Sequence, residues 1–516
     1  MAIFDDLDLL IRSRYPLIYL VTWEEERVIA LLEQIAAKRN KTLFTWSSAE
    51  GLNKIPAHQT TLDEATKDPL TLLDNISKSE KPAIYLLEDF HPFLCEHGVV
   101  RKLRETARSL RNSYKTIVLS SPVMKIPQEL EKLITVIDFP FPTSEEIKQI
   151  LDELIATVKK NPQVKISSSP EIHERLVKAA LGLTATEAER AFAKVLVRDN
   201  ALDESDIPFI IEEKEQVIKK TGILEYYHAQ EKLSNVGGLD GLKEWLKKRS
   251  GAFSNKAREF GLPEPKGVLL MGVQGCGKSL TAKAIASQWN LPMLRLDVGT
   301  VFSGVVGSSE ENMRKAIRTA ESIAPCVLWI DEIEKGFSGI GSSNVSDAGT
   351  TARIFGAFIT WLQEKKAPVF VIATANDISS LPPELLRKGR FDEIFFIDLP
   401  THEERKDIFK IHLEQRKRPP ESFYLEQLAQ ISNGWSGAEI EQAVIAALYD
   451  AFEENREITQ NDVQRNIATM VPLSTTMKEN IDSLRAWAKT RARPASKDNL
   501  FNQTTKQMAA ALEIMQ

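Results

Sequence analysis

The chain has 516 residues, enough for about three domains, and its 43% hydrophobic and 27% charged residues are those of an ordinary globular protein. A formal charge of −6 gives no whole-chain attraction to nucleic acid or acidic membrane surfaces. Three cysteines (Cys95, Cys276, Cys326) without a CxxC point to a reducing, cytosol-like compartment and away from a zinc module, and apolar runs such as PLIYLV and VFVIATA are far too short to cross a bilayer.

The opening MAIFDDLDLL is acidic where a targeting segment is basic. PLIYLV then predicts a buried strand, and ERVIALLEQIAAK a helix. A second strand is predicted in PAIYLLEDF, ending in Glu88 and Asp89, and a third in TIVLSSP, ending before Pro122. His91, Cys95 and His97 lie close together in HPFLCEHG, where a loop after a strand is preferred over a metal set. FPTSEEIKQI, at 141–150, returns as LPTHEERKDI at 399–408, a spacing that suits a duplicated domain and is too long for a solenoid repeat. Residues 199–233 are acidic and then mixed, and read as a partly helical linker.

In the second half, VLLM predicts a strand and SLTAKAIA the start of a helix. The intervening GVQGCGKS fits GxxxxGK[ST] through Gly272, Gly277, Lys278 and Ser279, with Val273, Gln274, Gly275 and Cys276 inside the loop and Leu280 following it. Such a loop turns backbone N–H groups around phosphate at a helix N-terminus. Lys278 would reach the β- and γ-phosphates of ATP and Ser279 would ligate Mg2+. For Cys276, small-residue packing is preferred over a redox role. The strand in APCVLWIDEIE places Asp331 beside the loop to hold Mg2+ through water, and Glu332 where it can polarise an attacking water. VFVIATAND ends in Asn376, whose amide would orient that water, and RKGR in the next stretch offers Arg387 and Arg390.

Phosphate loop, DE, Asn and R-x-x-R, in this order and wording, resemble the AAA ATPase family proper over residues 234 to about 472. The resemblance implies that Gly237, Gly238 and Leu239 lie near the adenine, that His412 contacts nucleotide, and that Gly437 and Ala438 pack on the base. It makes Arg387 and Arg390 arginine fingers acting on a neighbouring subunit, hence a ring, usually a hexamer. The whole chain looks most like the divergent AAA protein of cyanobacteria and red-algal-type plastid genomes, which implies the cytoplasm or, if plastid-encoded, the stroma. One departure stands out. In VFSGVVGSSEENMRKAI, Val305 followed by Val306 and Gly307 stands where threading members carry an aromatic, so docking on a folded partner is expected in place of threading.

Against that second half, the first reads as a degenerate AAA module. Val28 stands for Lys278, the acids are reversed as Glu88 and Asp89, Pro122 replaces Asn376, and the R-x-x-R is absent. An unrelated α/β domain with short-range similarity is the competing reading. The fold class is therefore α/β, a P-loop AAA ATPase module (parallel αβα sandwich plus helical lid) preceded by a degenerate AAA-like module. The boundaries read as 1–198 degenerate module, 199–233 linker, 234–400 large subdomain, 401–472 lid and 473–516 helical tail. The tail splits at Pro494 into two predicted helices, with Leu484, Trp487 and Ala488 facing the lid and RAWAKTRAR a solvated basic face. The expected function is an Mg-ATP-dependent ring that remodels or regulates an unidentified protein client. A nucleotide-gated adaptor with slow hydrolysis is the second reading, and a nucleic-acid machine is disfavoured because no basic stripe or zinc module is present.

Overall fold

The computed structural model describes residues 2–55, 64–158, 165–166, 169–220, 222–227, 231–253, 257, 259–289, 291–302, 308–337 and 345–496. The chain divides into two compact units, 1–213 and 214–516.

The first unit is built on a sheet of β1 (Leu17–Val21), β2 (Thr42–Ser47), β3 (Gly51–Ile55), β4 (Ala83–Glu88), β5 (Lys115–Ser121) and β6 (Ile134–Asp138). Their order is β3-β2-β4-β5-β1-β6, parallel throughout except for the β2–β3 edge pair. The continuous apolar run of β1 has a simple cause, because both faces of the sheet are covered. Leu17 and Tyr19 enter one core with Trp46, Leu87 and Leu103, while Ile18 and Leu20 enter the other with Leu32, Ile35 and Val118. A helical part follows, Ser144–Val158, Pro170–Ala180 and Ala185–Asp199, with a small parallel pair of β7 (Lys165–Ile166) and β8 (Ala201–Leu202).

The second unit carries β9 (Leu224–Tyr227), β10 (Gly267–Gly272), β11 (Met293–Leu296), β12 (Cys326–Ile330), β13 (Val369–Ala375), β14 (Glu393–Ile397) and β15 (Arg493–Pro494). The order is β15-β14-β10-β13-β12-β11-β9, with only β9 antiparallel. Val268 and Leu270 pack on one side with Trp245, Ala282 and Trp289, and Leu269 and Met271 on the other with Leu328, Phe358 and Leu385. Four helices, His402–Gln415, Leu425–Ile431, Gly437–Glu453 and Gln460–Thr469, form a lid around Phe409, Leu413, Trp435 and Val444.

Set side by side, the strands β6-β1-β5-β4-β2 and β14-β10-β13-β12-β11 follow one and the same order, the fifth, first, fourth, third and second of five parallel strands counted along the chain. The repeated phrase marks the same place in each unit. Thr143 and Glu146, like Thr401 and Glu404, form a reciprocal cap at the start of the first lid helix, with glutamate–backbone distances of 2.7 and 2.9 Å.

Two expectations need correction. The segment 199–233 is not a tether throughout, because β9 lies within it and closes the edge of the second sheet beside β11, its residues Leu224 and Tyr226 joining that core. The tail helix does not turn Trp487 toward the lid. Lys478–Arg491 puts Trp487 against the core of the large subdomain, and Arg493–Pro494 continues as a strand beside β14; the rest of the expected second helix, from 497 on, lies outside the described residues.

Candidate functional site

β10 delivers the chain to Gly272 in the middle of the sheet, and the helix Lys278–Trp289 begins after a five-residue loop, Val273–Gly277. Gly277 has φ +83° with open space around it, so the demand there is for backbone conformation and not for room. The first N–H groups of the helix have no partner within it and face the loop, the usual setting of an anion site. Inside the curl, Lys278 is buried and its Nζ donates to the carbonyls of Gly272 (2.9 Å) and Val273 (2.8 Å). Burial draws its pKa down to about 8, offset in part by the carboxylates of Glu334, Asp331 and Glu332.

Adjacent strands bring up the acids. Ser279 Oγ donates to Asp331 Oδ1 at 2.9 Å, and Thr374 Oγ1 donates to the same oxygen at 2.6 Å. Thr374 in turn accepts from the N–H of Glu332 at 2.9 Å. Glu332 stands in the left-handed region at φ +50°, where its carboxylate accepts from Asn376 Nδ2 at 2.9 Å and pairs with Lys335. The backbone N–H of Asn376 is held by Glu334, whose pKa burial raises.

The lid closes the far side. Ala438 donates its N–H to Gly275 O at 3.0 Å, joining the helix Gly437–Glu453 to the loop. The entry turn meets the first lid helix: a Cβ at Gly238, φ +66°, would lie 2.2 Å from Glu404 Oε1, and Leu239 N donates to that oxygen at 3.0 Å. Between these elements lies a cavity of about 400 Å³, within the range of small-molecule sites. One wall has Val236, Leu239, Ile408, Ile411, His412 and Ala438. Burial, the largest influence, holds the His412 imidazole below its ordinary range, with Arg416 and Glu441 beside it. Burial pushes the Cys276 thiol up to about 12, so it stands protonated in the loop.

This donor set fits a magnesium nucleotide. A buried ammonium and the free N–H groups of a curled loop suit a polyphosphate, a hydroxyl–carboxylate pair suits a hard cation, and a narrow apolar slot suits a flat base.

Gly237, Leu239, Gln274, Gly275, Cys276, Gly277, Lys278, Ser279, Leu280, Asp331, Glu332, Asn376, His412, Gly437 and Ala438 thus line one cavity. Gly238, Gly272 and Val273 adjoin it through their neighbours without lining it, whereas Arg387, exposed, and Arg390, half-buried, stand apart from it. Val305, Val306 and Gly307 lie outside the described residues. Sequence reasoning missed Thr374, Asp398, Glu404 and Glu441. For Glu404 a signal existed in the T-x-x-E of the repeated phrase; the other three carry none.

The matching place in the first unit is filled. There β1 reaches the helix Glu25–Lys38 through only three residues, Thr22–Glu24, so no phosphate-sized curl forms. Val28, level with Lys278 when both chains are counted from their strands, lies in the core, and the cation at the helix start is Arg27. Glu24, buried, accepts from Ala185 N at 2.7 Å and pairs with Arg27. Arg27 also reaches Glu146 Oε1 (3.1 Å) and Pro140 O (3.0 Å). Burial raises the pKa of Glu24. It also raises that of Glu88, in the place of Asp331, which reaches about 7 with help from Glu25, Glu50 and Asp89. One trait is shared by the two units: Asp89 stands at φ +48°, close to the φ +50° of Glu332. His91 and Cys95 are engaged separately, with Ser121 (2.8 Å) and Lys125 (2.6 Å).

Comparison with known proteins matches three regions of the chain. Residues 268–399 match the ATPase family associated with various cellular activities (AAA). Residues 3–139 and 145–221 match the N-terminal and second domains of SpoVK-like AAA ATPases, which, with the shared strand order, displaces the reading of an unrelated first domain. A protein of Guillardia theta is 46% identical over 494 residues, 95% of each chain, and one of Trieres chinensis is 43% identical over 492 residues, 95% of this chain and 97% of its own. Both are described as uncharacterized AAA domain-containing protein ycf46. The proteasome-activating nucleotidase of Saccharolobus solfataricus is 28% identical over 380 residues, 71% of this chain and 90% of that one.

Proposed function

The chain belongs to the AAA ATPase family, together with the ycf46 proteins, and from that premise we propose that it hydrolyses Mg-ATP and works as an oligomeric ring that remodels or regulates a protein partner. The observation that carries this reading is the single cavity in which Lys278, the Ser279–Asp331 pair and the Glu332–Asn376 pair converge.

Mg-ATP would supply the γ-phosphoryl group that is transferred to water, with ADP as the leaving group. Lys278 would exchange its two carbonyl partners for phosphate oxygens, which restores the full charge that burial weakens. Ser279 and Asp331 would hold the cation, with Thr374 fixing the orientation of the carboxylate. Glu332, held by Asn376, would accept the proton of the attacking water. Gly237, Gly238, Leu239, His412, Gly437 and Ala438 would enclose the base. Arg387 and Arg390, away from their own cavity, would serve the site of a neighbouring subunit in a hexamer. The domain reading follows: a degenerate module at 1–198, a connecting segment to 233, a large subdomain at 234–400, a lid at 401–472 and a tail at 473–516.

A protein client is supported by the likeness to a proteasome-activating nucleotidase. Among the described residues no helix is long and apolar enough to cross a membrane, and we place the protein in cytoplasm or, where plastid-encoded, in stroma. One contact favours the second reading, a nucleotide-gated adaptor with slow turnover: Lys335 pairs with Glu332, the group that has to act as base. The test is a pull-down with Glu332→Gln held in ATP. That variant should bind nucleotide while turnover falls about 10²–10⁴-fold. One partner, released when ADP replaces ATP, is expected; rapid hydrolysis by the variant would overturn the assignment, and slow wild-type turnover indifferent to any partner would favour the adaptor.

A further inference from the structure

We propose that the C-terminal tail is a positioning arm of the nucleotide site, so that docking of residues 478–496 and binding of nucleotide strengthen each other. The inference rests on the nucleotide-binding reading above and adds a regulatory element to it.

The tail is fastened at four successive points. In the helix Lys478–Arg491, Arg485 reaches both carboxylate oxygens of Asp398, from Nε at 3.0 and 2.9 Å and from Nη2 at 2.9 Å. Next, Arg493 and Pro494 add a parallel strand beside Phe395 and Phe396. Ala495, fully buried, donates its N–H to Phe396 O (3.0 Å) and accepts from Leu242 N (2.9 Å). Last, Ser496 Oγ donates to Glu404 Oε1 at 2.5 Å.

Two of these anchors, Asp398 and Glu404, line the nucleotide cavity. Glu404 is the shared joint. Its Oε2 accepts from Thr401 N at 2.9 Å and fixes the lid helix; its Oε1 takes both Ser496 Oγ and the N–H of Leu239 at the base-facing turn. Leu239 stands at φ +58°, a conformation a leucine leaves unless its surroundings hold it. The tail also braces the turn from behind, since a Cβ at Gly241 would come within 2.9 Å of Ala495 O. Without Ser496, Oε1 loses the neighbour that keeps it aimed at Leu239, and the turn loses the partner that keeps it at the base.

Linkage then runs both ways. If the docked tail improves nucleotide affinity, bound nucleotide must hold the tail by the same factor. A partner that lifts the tail would lower nucleotide affinity without touching the cavity.

The test uses the full chain, a fluorescent ATP analogue with Mg2+, and two variants: a truncation after Ala492, and Ser496→Ala. The truncation is expected to weaken binding about tenfold and S496A about threefold, with KM rising in step while kcat at saturation stays within about twofold. Should the truncated chain fail to fold, S496A and hydrogen exchange in the wild type decide: nucleotide should slow exchange of the Leu242 and Ala495 amides. Wild-type affinity in S496A, or exchange at those amides indifferent to nucleotide, would overturn the proposal while leaving the ATPase reading intact. Failure of the wild-type chain to bind the analogue at all would overturn both.

Discussion

The two units carry one strand order and one lid cap, yet a cavity of about 400 Å³ in one corresponds to a knot of charged side chains in the other. The contrast narrows to a pair of glutamates. Glu146 and Glu404 each spend one oxygen on capping the lid helix, but the second oxygen of Glu404 holds the entry turn and the tail, while that of Glu146 holds Arg27. A fold of this kind is maintained by apolar alternation and helix caps, which ask nothing of a ligand. A phosphate site asks in addition for a loop that stays uncoiled between strand and helix and for a few hydroxyls. In the first unit the helix begins earlier, at Glu25, and Glu24, Arg27 and the N–H of Ala185 satisfy one another there.

Three changes should break or sharpen this contrast. The largest effect belongs to Lys278→Ala, which should weaken Mg-ATP binding by more than about 100-fold, since Glu24 and Arg27 occupy the matching place in the first unit; equilibrium titration checks it. Next, Arg27→Met should leave ATP turnover near wild type but destabilise the first unit by about 3 kcal/mol, since it strands the buried Glu24 without its counter-ion. Burial already raises the pKa of Glu24, so its charged form is the disfavoured one in the fold. The loss should therefore grow as pH rises from about 4.5 toward neutrality and shrink in acid, which thermal unfolding against pH would reveal. The smallest effect is in pH dependence of binding. Lys278 titrates near 8 in the free protein and must be protonated to meet phosphate. Affinity for Mg-ATP should be flat below that pH and fall above it, by up to about tenfold per pH unit. A flat profile up to pH 9.5 would remove Lys278 from the phosphate contact.

What could be read from the residues follows from how locally each feature is encoded. The loop Gly272–Ser279 and the strand ends at Asp331 and Asn376 are contiguous words in the chain, and the strands around them are unbroken apolar runs. The repeated T-x-x-E phrase was equally visible and marks the lid junction in both units. The rest depends on contacts between distant positions. Ser496 meets Glu404 across 92 residues, and Glu404 meets Leu239 across 165, with no motif in between. β15 is two residues long and contains a proline, so nothing in its composition announces a strand. Arg27 escaped for another reason. Counting from the strands sets Val28, a core residue, opposite Lys278 and hides that the first unit's helix begins three residues before that point, at Glu25.

The most direct test of the account is the number of nucleotides bound per chain at saturation, measured by calorimetry with Mg2+ and a slowly hydrolysed ATP analogue on wild type and on Lys278→Ala. The account predicts no more than one per chain in the wild type and none in the variant. Two per chain, or one that survives in Lys278→Ala, would show that the first unit binds nucleotide after all and would contradict it.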